Sequence, residues 1–325
     1  MKIIITGGAG FIGSHLAEYL IKKKHKIIII DNLSTGRIEN IKGFKNKLKF
    51  IKADISKLGK WTKNFKNAKL IFHLAALADI VPSIQNPKKY FQSNVVGTEN
   101  IASACIKYNV KKIIYAASSS CYGIPGKYPT SESESIKPQY PYALTKNLGE
   151  QILINYAKIY GLHFTSLRLF NVYGTKSRTS GTYGAMFGVF LAQKLKKKPL
   201  TVVGDGKQKR DFTYISDVIE AFYKTIKIKK NLQILNVGTG KPVTVNYIVK
   251  LLNCKSITIQ KRPGEPDQTN ANISKIKKEL NWRPKITIEQ GIKKLLNEIN
   301  YWNNAPVWTP TKIKAATRDW FKYLK

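Results

Sequence analysis

Gly7-Gly8-Ala9-Gly10-Phe11-Ile12-Gly13 is the feature that most narrows what this chain can fold into. It follows directly on Lys2–Thr6, which reads as a buried strand, and it opens Ile12–Lys23, where apolar residues recur at helical spacing. Glycines at 7, 10 and 13 permit a tight turn, close approach of backbone to a pyrophosphate, and close packing of helix on strand. The start of the helix adds free N–H groups and the positive end of the helix dipole. A strand, glycine turn and helix in this order begin a parallel sheet able to hold a dinucleotide.

The next strand ends in Asp31, 18 residues beyond Gly13. An acid there binds the adenosine ribose hydroxyls and repels a 2′-phosphate, so NAD is favoured over NADP. Arg37 lies close enough in sequence to keep NADP as the alternative. Further strands are expected at Lys26–Asp31, Leu48–Lys52, Leu70–His73, Lys112–Ala116 and His163–Leu169. Helical spacing marks Pro87–Tyr108 and Tyr142–Tyr160. Strands separated by helices imply parallel pairing, and strands this apolar imply a sheet covered on both faces. The fold class is therefore α/β, a doubly wound parallel (Rossmann) sheet over residues 1–174. Residues 175–325 read as a smaller C-terminal substrate lobe with interleaved sheet elements. Gly181–Gly188 and Gly204–Asp211 look like loops there, and the tail Pro306–Lys325, with Trp308, Trp320 and Phe321, looks like a packed terminal helix.

Composition mostly excludes. The 325 residues are 43% apolar, and no stretch approaches the 18 or so apolar residues of a membrane span. Met1–Thr6 already reads as strand rather than leader, so a cytoplasmic protein is expected. Cys105, Cys121 and Cys254 form no metal or redox motif, and no metal is expected. Lys and Arg total 56 against 19 Asp and Glu, a net charge of +37. These lysines are spread along the chain and accompany no nucleic-acid-binding motif. They read as a lysine-rich surface rather than a nucleic-acid-binding one, and their field would attract anionic ligands as a side effect.

Two further patterns carry chemistry. Tyr142 and Lys146 stand four residues apart and share one helix face. A free phenol titrates near pH 10 and is a poor base, but a nearby ammonium and an oxidised nicotinamide both favour phenolate. Ala116-Ala117-Ser118-Ser119-Ser120-Cys121-Tyr122-Gly123 follows the Lys112–Ala116 strand, where residues face the ligand crevice of a parallel sheet.

At these motifs the sequence resembles the extended short-chain dehydrogenase/reductase family, and within it the UDP-hexose 4-epimerases, over roughly residues 1–295. The resemblance implies a catalytic triad of Ser118, Tyr142 and Lys146. Related dehydratases carry an Asp-Glu pair straight after the hydroxyl residue; Ser119 and Ser120 stand here instead, which favours epimerisation. It implies NAD contacts from Gly7, Gly10, Phe11, Ile12, Gly13, Asp31, Asn32, Asp54, Ile55, Ala75, Ala76, Asn94, Tyr142, Lys146 and Phe170. The sugar nucleotide would meet Ser118, Ser119, Ser120, Tyr142, Asn171, Arg210, Arg262, Glu265 and Thr269. Arg210 and Arg262 would hold the UDP phosphates, Glu265 the uridine ribose, and Thr269 would stand beside the sugar's 2-position. His73 reads as a packing residue at a strand end. By the same resemblance Tyr142 removes the O4 proton while hydride passes from C4 to NAD. The 4-keto sugar turns over, hydride returns, and the hydroxyl emerges inverted. The helices near 90–108 and 142–160 match those that pair as a four-helix bundle in family homodimers. Three rivals stay open: an epimerase or decarboxylase acting on UDP-glucuronate or another nucleotide sugar, a redox-inert NAD-binding regulator, and a nucleic-acid-binding module.

Overall fold

Ile3, Ile4 and Ile5 are each fully buried, yet they feed two different cores: Ile3 and Ile5 face one, Ile4 the other. Ile27 and Ile29 divide from Ile28 and Ile30 in the same way. That alternation is the two-residue period of a strand whose faces are both covered. The computed structural model describes residues 1–177 and 186–324.

Six strands arise in the order expected: β1 (Lys2–Thr6), β2 (Lys26–Asp31), β3 (Leu48–Lys52), β4 (Leu70–His73), β5 (Lys112–Ser118) and β6 (His163–Leu169). With Gln233–Val237 they form one seven-stranded sheet of order β3-β2-β1-β4-β5-β6 and then Gln233–Val237, every pairing parallel. Order reverses between β1 and β4, and the crevice at such a reversal is where ligands bind.

Helix α1 (Phe11–Lys22) follows the glycine turn. After β4 come α2 (Ile80–Gln85), α3 (Pro87–Phe91) and α4 (Gly97–Lys107), the last two joined by a π-helical turn at Gln92–Val96. The single helix expected at Pro87–Tyr108 is thus widened in its middle. Helix α5 (Pro141–Tyr160) starts with proline, whose missing N–H costs nothing there, and stops at Gly161 in the left-handed region.

Three two-stranded ribbons build the second lobe: Val172–Tyr173 with Thr213–Tyr214, Leu200–Val203 with Ser256–Ile259, and Lys209–Arg210 with Val243–Thr244. The helix Ile215–Thr225 returns to the sheet and meets α1 through Tyr223 on Tyr19, rings 5.2 Å apart. Of the loop expected at Gly181–Gly188, positions 181–185 lie outside the described residues, while 186–188 open the helix Met186–Leu195. The tail forms two short helices, Pro310–Ala316 and Arg318–Tyr323, rather than one. No helix among the described residues is long and apolar enough to cross a membrane.

Candidate active site

The glycine turn is held shut by backbone. Gly7 has φ +70°, and a Cβ added there would lie 2.6 Å from Ala75 N, on the segment leaving β4. A Cβ at Gly13 would fall 2.2 Å from Gly7 O. Only glycine lets β1, β4 and α1 meet this closely. Gly10 caps α1 without a side chain, so the first-turn N–H groups remain open for an anion.

Asp31 closes the other side. Its carboxylate accepts from Ala9 N at 2.9 Å and Leu33 N at 2.8 Å. Burial pushes its pKa up, and those two N–H groups oppose the rise. A Cβ on Gly36 would come within 2.8 Å of the carboxylate, so the acid is enclosed as well as positioned. Arg37 does not line the cleft; its charge lies near Tyr301.

From this cradle a cleft of about 670 Å³ runs to the second lobe. Phe11, Ile12, Asn32, Asp54, Ile55, Ala75 and Ala76 line its first half. Deeper in, β5 runs two residues past its expected end, so Ser118 is the last residue of the strand. Ser118 Oγ and Ser120 Oγ are 2.8 Å apart, and both stand beside Tyr142, where they favour its charged form. Ser119 also lines the cleft. Burial pushes Tyr142 above the usual phenol range, and the two serines oppose this by stabilising phenolate.

Lys146 is on the expected face, but its ammonium lies 4.0 Å from the centre of the Tyr115 ring. Burial brings its pKa down to about 7, opposed by the Glu150 carboxylate. Desolvation therefore outweighs the opposing causes at both residues, and the chain's own groups leave Tyr142 raised rather than lowered. Below Lys146, His73 is fully buried between Thr6 Oγ1 at 2.7 Å and Thr98 Oγ1 at 2.9 Å. Thr98 already donates to Asn94 O, so it accepts from His73 Nε2–H, leaving Nδ1 to accept from Thr6. Burial brings this imidazole down to about 3, a neutral strut between β1 and α4.

The far end of the cleft is cationic. Arg262 Nη1 lies 3.0 Å from Glu265 Oε1, and Arg210 Nη2 lies 3.9 Å from Glu265 Oε2. Glu265 therefore sits between two guanidiniums that the sequence placed 52 residues apart. Thr269 Oγ1 donates to Asn171 Oδ1 at 2.7 Å and accepts from Asp211 N at 3.0 Å. Its size was the basis for naming it; these bonds give it a second task, holding Asn171.

Two named residues are not brought to the cleft. Asn94 is 1% exposed in the π-helical turn, and its amide is taken up by Leu77 N, Leu77 O and Thr145 Oγ1. It ties the segment after β4 to α5 while its neighbour Ser93 lines the cleft. Phe170 packs on Tyr122 in the core, and Leu169 and Asn171 line the cleft on either side of it. Sequence reasoning missed Tyr140, whose ring lies 6.3 Å from that of Tyr142 with planes 9° apart, and Trp320. Tyr140 could have been found from its place two residues before the base. Among the described residues no three His, Cys, Asp or Glu side chains cluster to hold a metal.

Residues 3–238 match the NAD dependent epimerase/dehydratase family. The chain belongs to that family. A UDP-glucose 4-epimerase of Mycolicibacterium smegmatis is 33% identical over 309 residues, 90% of this chain and 97% of that protein. The crystal structure of a Thermotoga maritima UDP-glucose 4-epimerase with UDP-glucose superposes with a TM-score of 0.87 at 32% identity, covering 94% and 99% of the two chains. A UDP-N-acetylglucosamine 4-epimerase of Methanobrevibacter ruminantium, in complex with UDP-N-acetylmuramic acid, gives 0.85 at 32%, covering 91% and 98%.

The cradle fits the NAD of this family: the Gly7–Gly13 turn and the open N–H groups of α1 suit the pyrophosphate, and Asp31 suits ribose hydroxyls. We expect mass spectrometry of ligand released from purified protein to find NAD and not NADP. NADP in that fraction would overturn the role given to Asp31.

Proposed function

We propose that this chain is a UDP-hexose 4-epimerase, working in the cytoplasm as a homodimer paired through α3–α4 and α5. The observation that carries the activity is the cluster of Ser118, Ser120 and Tyr142 hydroxyls, in one cleft with Arg210 and Arg262. Bound NAD supplies a hydride acceptor and donor for the sugar C4. The chain does the rest. Tyr142 Oη exchanges a proton with the sugar O4, and Ser118 and Ser120 hold that oxygen in place. Arg210 and Arg262 grip the diphosphate as paired forks, a task suited to guanidinium geometry. Glu265 keeps both arginines in the cleft and faces the uridine ribose. Dehydration would need an acid and a base beside the hydroxyl residue, and the two positions after Ser118 are serines. An intact triad also counts against a redox-inert regulator.

Thr269 is small, so we propose that UDP-glucose and UDP-N-acetylglucosamine both enter, the acetamido sugar at least as well. The test is product analysis with UDP-glucose, UDP-N-acetylglucosamine and UDP-glucuronate as separate substrates. Inversion at C4 of the first two supports the reading, and turnover of UDP-glucuronate alone replaces it. Thr269→Tyr is expected to abolish N-acetylhexosamine turnover and to spare the plain hexose. Thr269→Ser, which keeps the bonds to Asn171 and Asp211, should leave both. Equal loss of both sugars in Thr269→Tyr would show that holding Asn171, not size, is the residue's role.

A further inference from the structure

The tail beyond residue 305 returns to the cleft. Trp308 O accepts from Gln193 Nε2 at 2.7 Å, Ile313 is buried in the larger core, and Asp319 Oδ2 accepts from Gln85 Nε2 of α2 at 3.1 Å. Those anchors bring the helix Arg318–Tyr323 over the mouth of the site, where Trp320 is 2% exposed and lines the cleft. A tail helix that only covered core would bury an apolar side chain without a directed bond. Trp320 instead donates its indole N–H to Pro263 O at 2.8 Å. The Arg262 guanidinium carbon lies 5.3 Å from the centre of the indole ring. One side chain thus holds both the backbone and the charged head of the segment that carries Arg262 and Glu265.

That segment needs holding. Gly264 has φ +72°, and a Cβ added there would meet nothing within 4 Å, so the turn has open space beside it. The indole is also 6.4 Å from the ring of Tyr140, which stacks on Tyr142. An aromatic row therefore runs from the tail to the base.

We propose that Trp320 is a positioning residue for Arg262: it fixes the guanidinium in the direction from which it meets the substrate diphosphate. This rests on the UDP-sugar reading given above. A cation over a desolvated indole, together with a directed N–H bond, is worth roughly tenfold in affinity.

The experiment measures UDP binding by titration calorimetry and steady-state turnover of the UDP-hexose. Trp320→Met fills the slot without an aromatic face or an N–H. It is expected to weaken UDP about tenfold and to raise KM by the same factor, with kcat falling no more than about twofold. UDP lacks the hexose, so its weakening reports the Arg262 segment and not a lost hexose contact. Trp320→Phe restores a ring face and is expected to recover most of the affinity. In an Arg262→Ala background, Trp320→Met should add less than about twofold, because the group it positions is gone. Unchanged UDP affinity in Trp320→Met, or a further tenfold loss in the Arg262→Ala background, overturns the proposal alone. A parent protein that binds no UDP overturns the UDP-sugar reading and this proposal with it.

Discussion

Tyr142→Phe is expected to cut turnover by about a hundredfold or more, the scale for losing a positioned general base, while UDP affinity and melting temperature stay near the parent's. The ring sits in the first turn of α5 and stacks on Tyr140, and phenylalanine keeps both contacts. What leaves is the hydroxyl that Ser118 and Ser120 stabilise as phenolate. A base works deprotonated, and burial raises Tyr142, so parent turnover should climb with pH as phenolate forms. Oxidised NAD brings a positive charge that moves the climb to lower pH. In Tyr142→Phe the climb should vanish along with the rate. Because two serines share the load, Ser118→Ala and Ser120→Ala should each cost less than their double variant. A Tyr142→Phe enzyme at near-parental rate would sink the mechanism.

Much of this site was legible because local rules write it. A glycine turn between strand and helix, an acid at the end of β2 and a Tyr-x-x-x-Lys pair each need only neighbours in sequence. Parallel pairing of six strands followed from alternation of strand and helix, while the seventh strand, Gln233–Val237, went unread. What was not legible depended on partners far along the chain. Asn94 looked like a pocket residue, but a π-helical turn swings its amide onto Leu77 and Thr145 and presents Ser93. Phe170 sits between two lining residues, and the strand-like alternation there sends it into the core. The helix period placed Lys146 correctly but could not show the Tyr115 face beneath its ammonium. Trp320 was visible only as one aromatic of a tail, since nothing in its own spacing points to Pro263, 57 residues earlier.

Glu150→Ala is expected to lower stability by about 3–5 kcal/mol, the scale for leaving one partner of a buried ion pair alone. Glu150 is 1% exposed and Arg168 3%. Arg168 Nη2 reaches Glu150 Oε1 at 2.5 Å, Nε lies 3.2 Å from both oxygens, and Ser166 Oγ donates to Oε2 at 2.6 Å. A surface pair such as Lys22–Glu18, with side chains 71% and 34% exposed, is worth under about 1 kcal/mol and bears no comparison. Arg168 extends the network through the Tyr122 hydroxyl at 3.0 Å to Asn236, whose amide donates to Thr130 O. Removing the carboxylate therefore strands a guanidinium at the joint between β6, the Gln233–Val237 strand and the segment around Thr130. In differential scanning calorimetry the melting temperature should fall by roughly 4–8 °C. Glu150→Ala with Arg168→Met should recover part of that loss, because the stranded charge is gone. The same carboxylate is what raises Lys146 against burial, so in Glu150→Ala the lysine should titrate below its value of about 7. A lysine depressed in the fold costs stability wherever the unfolded chain holds the extra proton. That cost is complete below pH 7 and fades as pH rises toward the ordinary lysine value. Glu150→Ala stretches the rising window to lower pH. A variant that melts within 2 °C of the parent would show that the pair is replaceable and that Glu150 does not hold this joint.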